Sequence, residues 1–182
     1  VRGRRLAQAA MLISVQYLEG GSQAAHASSA EARTRLRAAF ARAPVAMVML
    51  GWNLPPRLVD VCAEECARAR ADLYLWQPLL TGDGELRPQE SWRTIGVAGN
   101  PVAGHAGKPE FTFLCPNRPA ARDAILRHLD TVIENGQYRG VFLDRIRFPS
   151  PAAHPDRDLA CFCEHCREQA ARSSVDLASV QQ

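Results

Sequence analysis

The sequence lacks any apolar run close to the ~20 residues that a membrane-spanning helix needs. Its N-terminal stretch "VRGRRLAQAAMLISVQYLEGG" places basic residues before a short apolar run, as a secretory signal does. Gln8, Gln16, Tyr17 and Glu19 interrupt that run, and no small-residue cleavage site follows at the right distance. We therefore expect a cytoplasmic protein that has no membrane partner.

The sequence also lacks a strong charge of either sign and several familiar catalytic signatures. The formal net charge is +3 over 182 residues, and the basic residues are scattered among acidic ones, so no basic stripe indicates a nucleic-acid partner. The glycine-bearing segments 81–85 and 99–107 lack the spacing of nucleotide-binding loops. Neither a G-x-S-x-G elbow nor an H-E-x-x-H motif is present, which excludes the reaction classes that those motifs mark.

Short apolar segments alternate with amphipathic ones, a pattern typical of βα units around a parallel sheet. Strands are predicted at 11–18, 45–52, 71–80 and 138–144, with helices from about 28, over 57–70, over 117–136 and from about 161. We expect an α/β fold, a TIM-type (β/α) barrel represented by its first four βα units, as a single partial domain over 1–182. A full barrel takes about 250 residues, so a doubly wound sheet or a smaller α/β domain are the alternatives.

The segment at about 81–110 is a long excursion rich in glycine, proline and polar residues, and such excursions are usually functional. It returns through an extended segment that ends at Cys115 and leads into the helix before the fourth strand. Cys115 can therefore approach the turn that follows that strand.

Three of the six cysteines form a C-x-C-x2-C pattern at 161–166, and such short spacings are typical of metal sites. A structural zinc takes four ligands. Cys161, Cys163 and Cys166 supply three, and Cys115, His154 or His165 could supply the fourth, with Cys115 favoured. The alternatives are one disulfide plus a free thiol, or a set of unrelated buried cysteines. Cys62 and Cys66 lie on the apolar stripe of the 57–70 helix and are predicted to be buried as small hydrophobic residues.

In parallel α/β folds the functional site lies at the carboxyl ends of the strands. Asp144 follows the apolar run "GVFL", so we expect it to be a catalytic carboxylate, and Glu19 after the first strand could be the second. Arg145 and Arg147 follow Asp144 and could contact a substrate. Their alternative role is a salt bridge with Asp144 that fixes the loop.

Two further strand ends carry an aromatic residue followed by an amide. Trp52 and Trp76 could cover the apolar face of a sugar ring, while Asn53 and Gln77 hydrogen-bond its hydroxyl groups. Large aromatic residues at strand ends can also simply close a core.

Three segments carry a resemblance to a known family: "FTFLCPNRPAARDAILRHL", "GVFLDRIRFP" and "CFCEHCREQAAR". Together they resemble the zinc-containing β-galactosidases of glycoside hydrolase family 42. The resemblance implies a (β/α)8 barrel and a zinc bound by Cys115, Cys161, Cys163 and Cys166. That family has an Asn-Glu acid at the end of strand four, where this chain has Ile146. "FLDRIRFP" is more similar to the Asp-x-Ile-Arg-Phe-Pro motif of glycosidase-like barrels of unassigned activity.

The sequence thus predicts a glycoside hydrolase-like protein that acts on or binds a carbohydrate, with a structural zinc. The zinc would tie the excursion after strand three to the loop after strand four. A non-catalytic carbohydrate-binding or scaffold domain with a structural zinc is the alternative. A glycosidase-type enzyme would need the missing half of the barrel, so we also expect pairing with that half or a homo-oligomer.

Overall fold

The computed structural model describes residues 12–18, 26–82, 86, 88–102, 104, 108, 111–134, 136–150 and 159–181. In chain order, its elements are β1 (Ile13–Tyr17), α1 (Ser29–Arg42), β2 (Val45–Leu50), α2 (Pro56–Ala69), β3 (Asp72–Pro78), a 3-10 turn (Glu90–Trp92), α3 (Pro119–Glu134), β4 (Gly140–Asp144), α4 (Glu164–Arg172) and α5 (Leu177–Val180). None of these described helices is long and apolar enough to cross a membrane.

The four strands form one parallel sheet in the order β1-β2-β3-β4, and helices alternate with them along the chain. The register places Val15 beside Val48 and Val48 beside Leu73. This sequential order is that of a (β/α) barrel, whereas the strand order of a doubly wound sheet reverses at a switch point. The predicted α/β fold is confirmed, and the sheet is consistent with a partial TIM-type barrel.

The chain divides into two compact units, residues 1–75 with 137–140 and residues 76–136 with 141–182. The single domain expected over 1–182 stays a prediction.

The first unit has one large apolar core between its strands and helices. Val48, Leu50 and Leu73 point from the sheet toward Leu36 of α1 and Leu58 of α2, and all five side chains are buried. Helix α1 begins where the sequence predicts, because the Ser28 side chain accepts a hydrogen bond from the Glu31 N–H at 3.1 Å and so caps a free backbone donor. More buried and less buried residues alternate along β1 and β3, because one face of each strand packs into this core.

A buried carboxylate joins α1 to α2. The Glu65 side chain is only 3 % exposed and accepts hydrogen bonds from Arg37 at 2.9 Å, from Arg68 at 2.9 Å and from Arg33 at 3.1 Å. The hydrogen bond from Arg37, with the nearby positive charges, lowers the pKa of Glu65 despite its burial. Arg33 and Arg37 lie on α1 and Glu65 lies on α2, so these contacts link the two helices.

The second unit contains a small apolar cluster of Leu80, Phe113, Leu114 and Ile125, beside a separate cluster of buried cysteines. The segment 92–102 forms backbone hydrogen bonds with two other segments of the chain, residues 113–115 and residues 160–162. The Cys115 N–H donates to the Trp92 carbonyl at 2.9 Å, and the Phe162 N–H donates to the Ile95 carbonyl at 2.8 Å. Part of the predicted excursion therefore connects residues 113–115 to residues 160–162.

Candidate metal centre and strand-end carboxylate

Asp144 is the last residue of β4, and two N–H donors hold its carboxylate. The Trp76 Nε1–H donates to Oδ2 at 3.1 Å, and the Arg145 backbone N–H donates to Oδ1 at 2.6 Å. The Arg145 Nε lies 3.9 Å from Oδ2, while 34 % of the Asp144 side chain remains exposed. The carboxylate is thus fixed in orientation and still open to solvent. The salt bridge considered for Arg145 is present, and the exposed part of Asp144 leaves a substrate role open.

The two arginines after Asp144 each lie over an aromatic ring. The Arg145 guanidinium is 4.8 Å from the centre of the Phe111 ring, and the Arg147 guanidinium is 4.8 Å from that of Phe113. Arg145 has a φ of 52°, in the left-handed region that non-glycine residues seldom adopt. Cation–π contacts of this kind hold a guanidinium in a defined position. Neither phenylalanine was selected from the sequence, because nothing local pairs it with an arginine more than thirty residues away.

The other two predicted residues of the second unit differ in exposure. Trp76 is half-buried and packs edge-on against Phe142, with ring centres 6.5 Å apart. Gln77 is only 2 % exposed, and its side chain donates to the Pro78 carbonyl at 2.9 Å. Trp76 is therefore the more accessible of the two, and it already contacts Asp144. Arg147 is exposed and also donates to the Ser150 hydroxyl at 2.8 Å.

Two of the predicted sugar-contacting residues belong to the first unit. Trp52 is only 3 % exposed, whereas its neighbour Asn53 is exposed and has a φ of 55°. Little of the Trp52 ring could reach a ligand without movement. Glu19, the predicted second carboxylate, lies outside the described residues, and the sugar-contacting roles of all these positions stay predictions.

The four predicted metal ligands come together in the second unit. The Sγ atoms of Cys115, Cys161, Cys163 and Cys166 all lie within 4.8 Å of one another, and all four residues are buried. Cys115 Sγ is 3.4 Å from Cys166 Sγ and 3.6 Å from Cys163 Sγ. A tetrahedral site with metal–sulfur bonds of about 2.3 Å has sulfurs about 3.8 Å apart, whereas a disulfide needs about 2.05 Å. All four cysteines are free, so the cluster could hold a metal ion.

Of the two histidines considered as a fourth ligand, His154 lies outside the described residues, and His165 is not a member of the cluster. The Nε2 of His165 instead lies 3.6 Å from a carboxylate oxygen of Glu164. The geometry thus favours Cys115, as the sequence does.

The sulfurs of the cluster accept hydrogen bonds from nitrogen donors. The Ile95 backbone N–H donates to Cys161 Sγ at 3.3 Å, and the Asn117 side-chain amide donates to Cys166 Sγ at 3.3 Å. Hydrogen bonds from Cys115 and Cys166, with the Ile95 N–H, lower the pKa of Cys161, while the pKa of Cys115 is raised by its bond to Cys161. The Ile95 and Asn117 N–H donors complement a thiolate, which is the form that binds metals.

The two remaining cysteines have ordinary apolar surroundings. Cys62 and Cys66 are buried in the core of the first unit. Burial raises the pKa of Cys62 to about 12 and the pKa of Cys66 to about 11. Thiols of this kind stay protonated and unreactive, as expected of small hydrophobic residues.

Two solved structures resemble this chain, while no family model and no curated protein match its sequence. The α-L-fucosidase isoenzyme 2 from Paenibacillus thiaminolyticus matches 90 % of this chain at 14 % identity and a TM-score of 0.57. A hypothetical protein from Ruminiclostridium thermocellum ATCC 27405 matches 68 % of this chain and 73 % of its own, at 13 % identity and a TM-score of 0.49. This chain has a glycosidase-like fold. It spans 26 % of the fucosidase chain.

Proposed function

We propose that this chain is part of a glycoside hydrolase-like protein that acts on or binds a carbohydrate, with Asp144 at the site. The observation that carries the proposal is the position of Asp144. It ends the fourth strand of a glycosidase-like sheet, is partly exposed, and is oriented by the Trp76 and Arg145 N–H groups. Carboxyl ends of barrel strands are where the catalytic residues of such folds lie.

Glycosidases need two carboxyl groups, one to protonate the leaving oxygen and one to act as nucleophile or base. Both oxygens of Asp144 face N–H donors, which complement a carboxylate anion better than a carboxylic acid. Asp144 is therefore the nucleophile or base in this proposal. Glu19 is the proposed acid, and the acid could equally lie in the missing half of the barrel.

Ligand contacts in the second unit are assigned to Trp76, Arg145 and Arg147. A half-buried indole ring can cover the apolar face of a sugar, and its N–H already fixes the carboxylate. The planar guanidinium of Arg147 suits a hydroxyl or an acidic group of the ligand. Gln77 is only 2 % exposed and already donates to the Pro78 carbonyl, so no ligand contact is assigned to it.

The cysteine cluster is proposed to bind a structural zinc ion. Four thiolates in a tetrahedron suit zinc, and they leave no open position for a catalytic water. The cluster joins Cys115 to the segment 161–166, so a bound ion would fix the backbone on both sides of residues 92–102. Such support outside the reacting groups is often needed to hold catalytic residues in place.

The partner of this chain is proposed to be the missing half of the barrel or a second copy. β4 is at the edge of the sheet, and Phe142 and Leu143 on it are 37 % and 39 % exposed. An apolar edge strand of this kind is normally covered. No nucleic-acid or membrane partner is proposed, and the proposed location is cytoplasmic.

The test compares Asp144→Asn with Asp130→Asn, an exposed aspartate on α3 of the same unit. Glycan binding and turnover of a panel of aryl glycosides are measured on the full-length protein, together with melting temperatures. We expect Asp144→Asn to abolish turnover. It should lower stability by only about 1 kcal/mol, because one N–H donor loses its acceptor at a partly exposed site.

Asp130→Asn should behave like the wild type. Binding without turnover in the wild type would favour the non-catalytic carbohydrate-binding domain instead. Absence of both binding and turnover would contradict the proposal, and a large loss of stability in Asp144→Asn would assign Asp144 to folding.

A further inference from the structure

Asn117 contacts the cysteine cluster through its side chain. Its side-chain Nδ2 donates to Cys166 Sγ at 3.3 Å, across 49 residues of chain. Asn117 is also only two residues from Cys115, which belongs to the other segment of the cluster. One residue of the Cys115 segment therefore contacts a sulfur of the 161–166 segment.

Ile95 makes a comparable contact at Cys161, where its backbone N–H donates to Sγ at 3.3 Å. Asn117 differs from Ile95 because its donor is a side chain, which a substitution can remove.

A divalent metal with four thiolates carries a net negative charge, and burial keeps water from dispersing it. N–H donors that point at the sulfurs replace part of the water's effect, because they stabilise the negative charge on the thiolates. They lower the electron density on each sulfur and fix its direction, as outer hydrogen bonds do for other metal ligands.

We propose that Asn117 is a positioning residue of the metal centre, whose side-chain amide orients the Cys166 thiolate and lowers its nucleophilicity. This inference rests on the proposed zinc site. In it, Asn117 holds the Cys115 segment against the 161–166 segment, increases retention of the metal, and protects Cys166 from electrophiles.

The test uses Asn117→Leu, which is similar in size and has no donor, and Asn117→Asp, which keeps the shape and replaces the donor with an acceptor. Asn100→Leu, at an exposed asparagine of the same unit, is the control. Zinc affinity is measured by competition with a chromophoric chelator, and we expect Asn117→Leu to bind about 10–100-fold more weakly. In the cobalt-substituted protein, its sulfur-to-metal absorption should move to longer wavelength, because the sulfur lone pairs rise in energy.

Iodoacetamide labelling of the zinc-loaded protein, mapped by peptide mass, gives an independent readout. We expect faster alkylation of Cys166 in both Asn117 variants and no change in Asn100→Leu. If Asn117→Leu fails to fold, Asn117→Asp provides the same comparison.

Two failures can be told apart. A wild type that binds no metal would contradict the proposed zinc site and the inference with it. A wild type that binds zinc, with unchanged affinity, spectrum and Cys166 labelling in the variants, would overturn only the role of Asn117.

Discussion

Cys62 in the first unit and Cys115 in the second are both 0 % exposed, yet their surroundings differ. Cys62 is packed among aliphatic side chains, and burial raises its pKa to about 12. Cys115 lies among three other sulfurs, two of them within 3.6 Å. Burial is the same at the two positions, so the neighbouring sulfurs distinguish a candidate metal ligand from a core residue.

The two units also differ in what their buried side chains are. The first has a large apolar core and a buried carboxylate surrounded by arginines. The second has a small apolar cluster and four buried cysteines. Small apolar cores seldom stabilise a fold without a disulfide or metal. The proposed zinc ion would therefore contribute most to the stability of the second unit.

The largest expected effect is a loss of zinc affinity when Cys115 is replaced by alanine. The same substitution at Cys62 is the comparison. Wild-type protein should contain about one zinc per chain. Cys115→Ala should bind zinc more than about 100-fold more weakly, because loss of a direct ligand exceeds the 10–100-fold cost of losing an outer contact. Metal analysis and chelator competition measure the effect. If the wild-type protein lacks metal and the four clustered cysteines form disulfides, they would no longer differ from Cys62 and Cys66 as candidate metal ligands.

A second prediction concerns the ionic contacts of the first unit. Glu65→Gln should lower the free energy of unfolding by about 1.5–3 kcal/mol, because a neutral amide replaces the charged acceptor of three hydrogen bonds while the arginines themselves stay partly exposed. Glu64→Gln is the matched control, since Glu64 is 53 % exposed and pairs only at the surface, and should cost less than about 1 kcal/mol. Chemical denaturation measures both. Equal losses in the free energy of unfolding for the two variants would mean that the buried contacts of Glu65 stabilise the fold no more than a surface ion pair does.

The pH dependence follows from the lowered pKa of Glu65. The unfolded chain binds this proton more tightly, so the contribution of Glu65 is complete above the unfolded-state pKa of about 4.3. It is lost as the pH falls through the lower folded-state pKa. Wild type should therefore lose this stability in acid, and Glu65→Gln should lack that part of the pH dependence.

Local patterns in the sequence were sufficient for the strands and for the cysteine set. Each of the four predicted strands is present, and the capping serine Ser28 begins α1, because these signals involve residues a few positions apart. The cysteine spacing likewise identified three members of the cluster within one segment. The fourth, Cys115, was chosen from its place before a helix, and the sulfurs do lie together.

Contacts between distant residues could not be predicted from such patterns. The spacing of apolar residues along α2 does not predict that Glu65 is buried, because its partners Arg33 and Arg37 lie on another helix. A strand-end position indicates the edge of a sheet but not exposure, and Trp52 is almost fully buried there. Asn117 gave no signal, because its contact with Cys166 exists only in the folded chain.

The smallest expected effect is at Cys62. Cys62→Ala should leave zinc content unchanged and cost about 1 kcal/mol, which lowers the melting temperature by about 2–4 °C in a chain of this size. In native wild-type protein, Cys62 and Cys66 should resist iodoacetamide at pH 8, because burial keeps both thiols protonated. After chelation, the four clustered cysteines should be labelled well before these two. Loss of zinc on Cys62→Ala, or early labelling of Cys62, would mean that the core cysteines are linked to the metal centre after all.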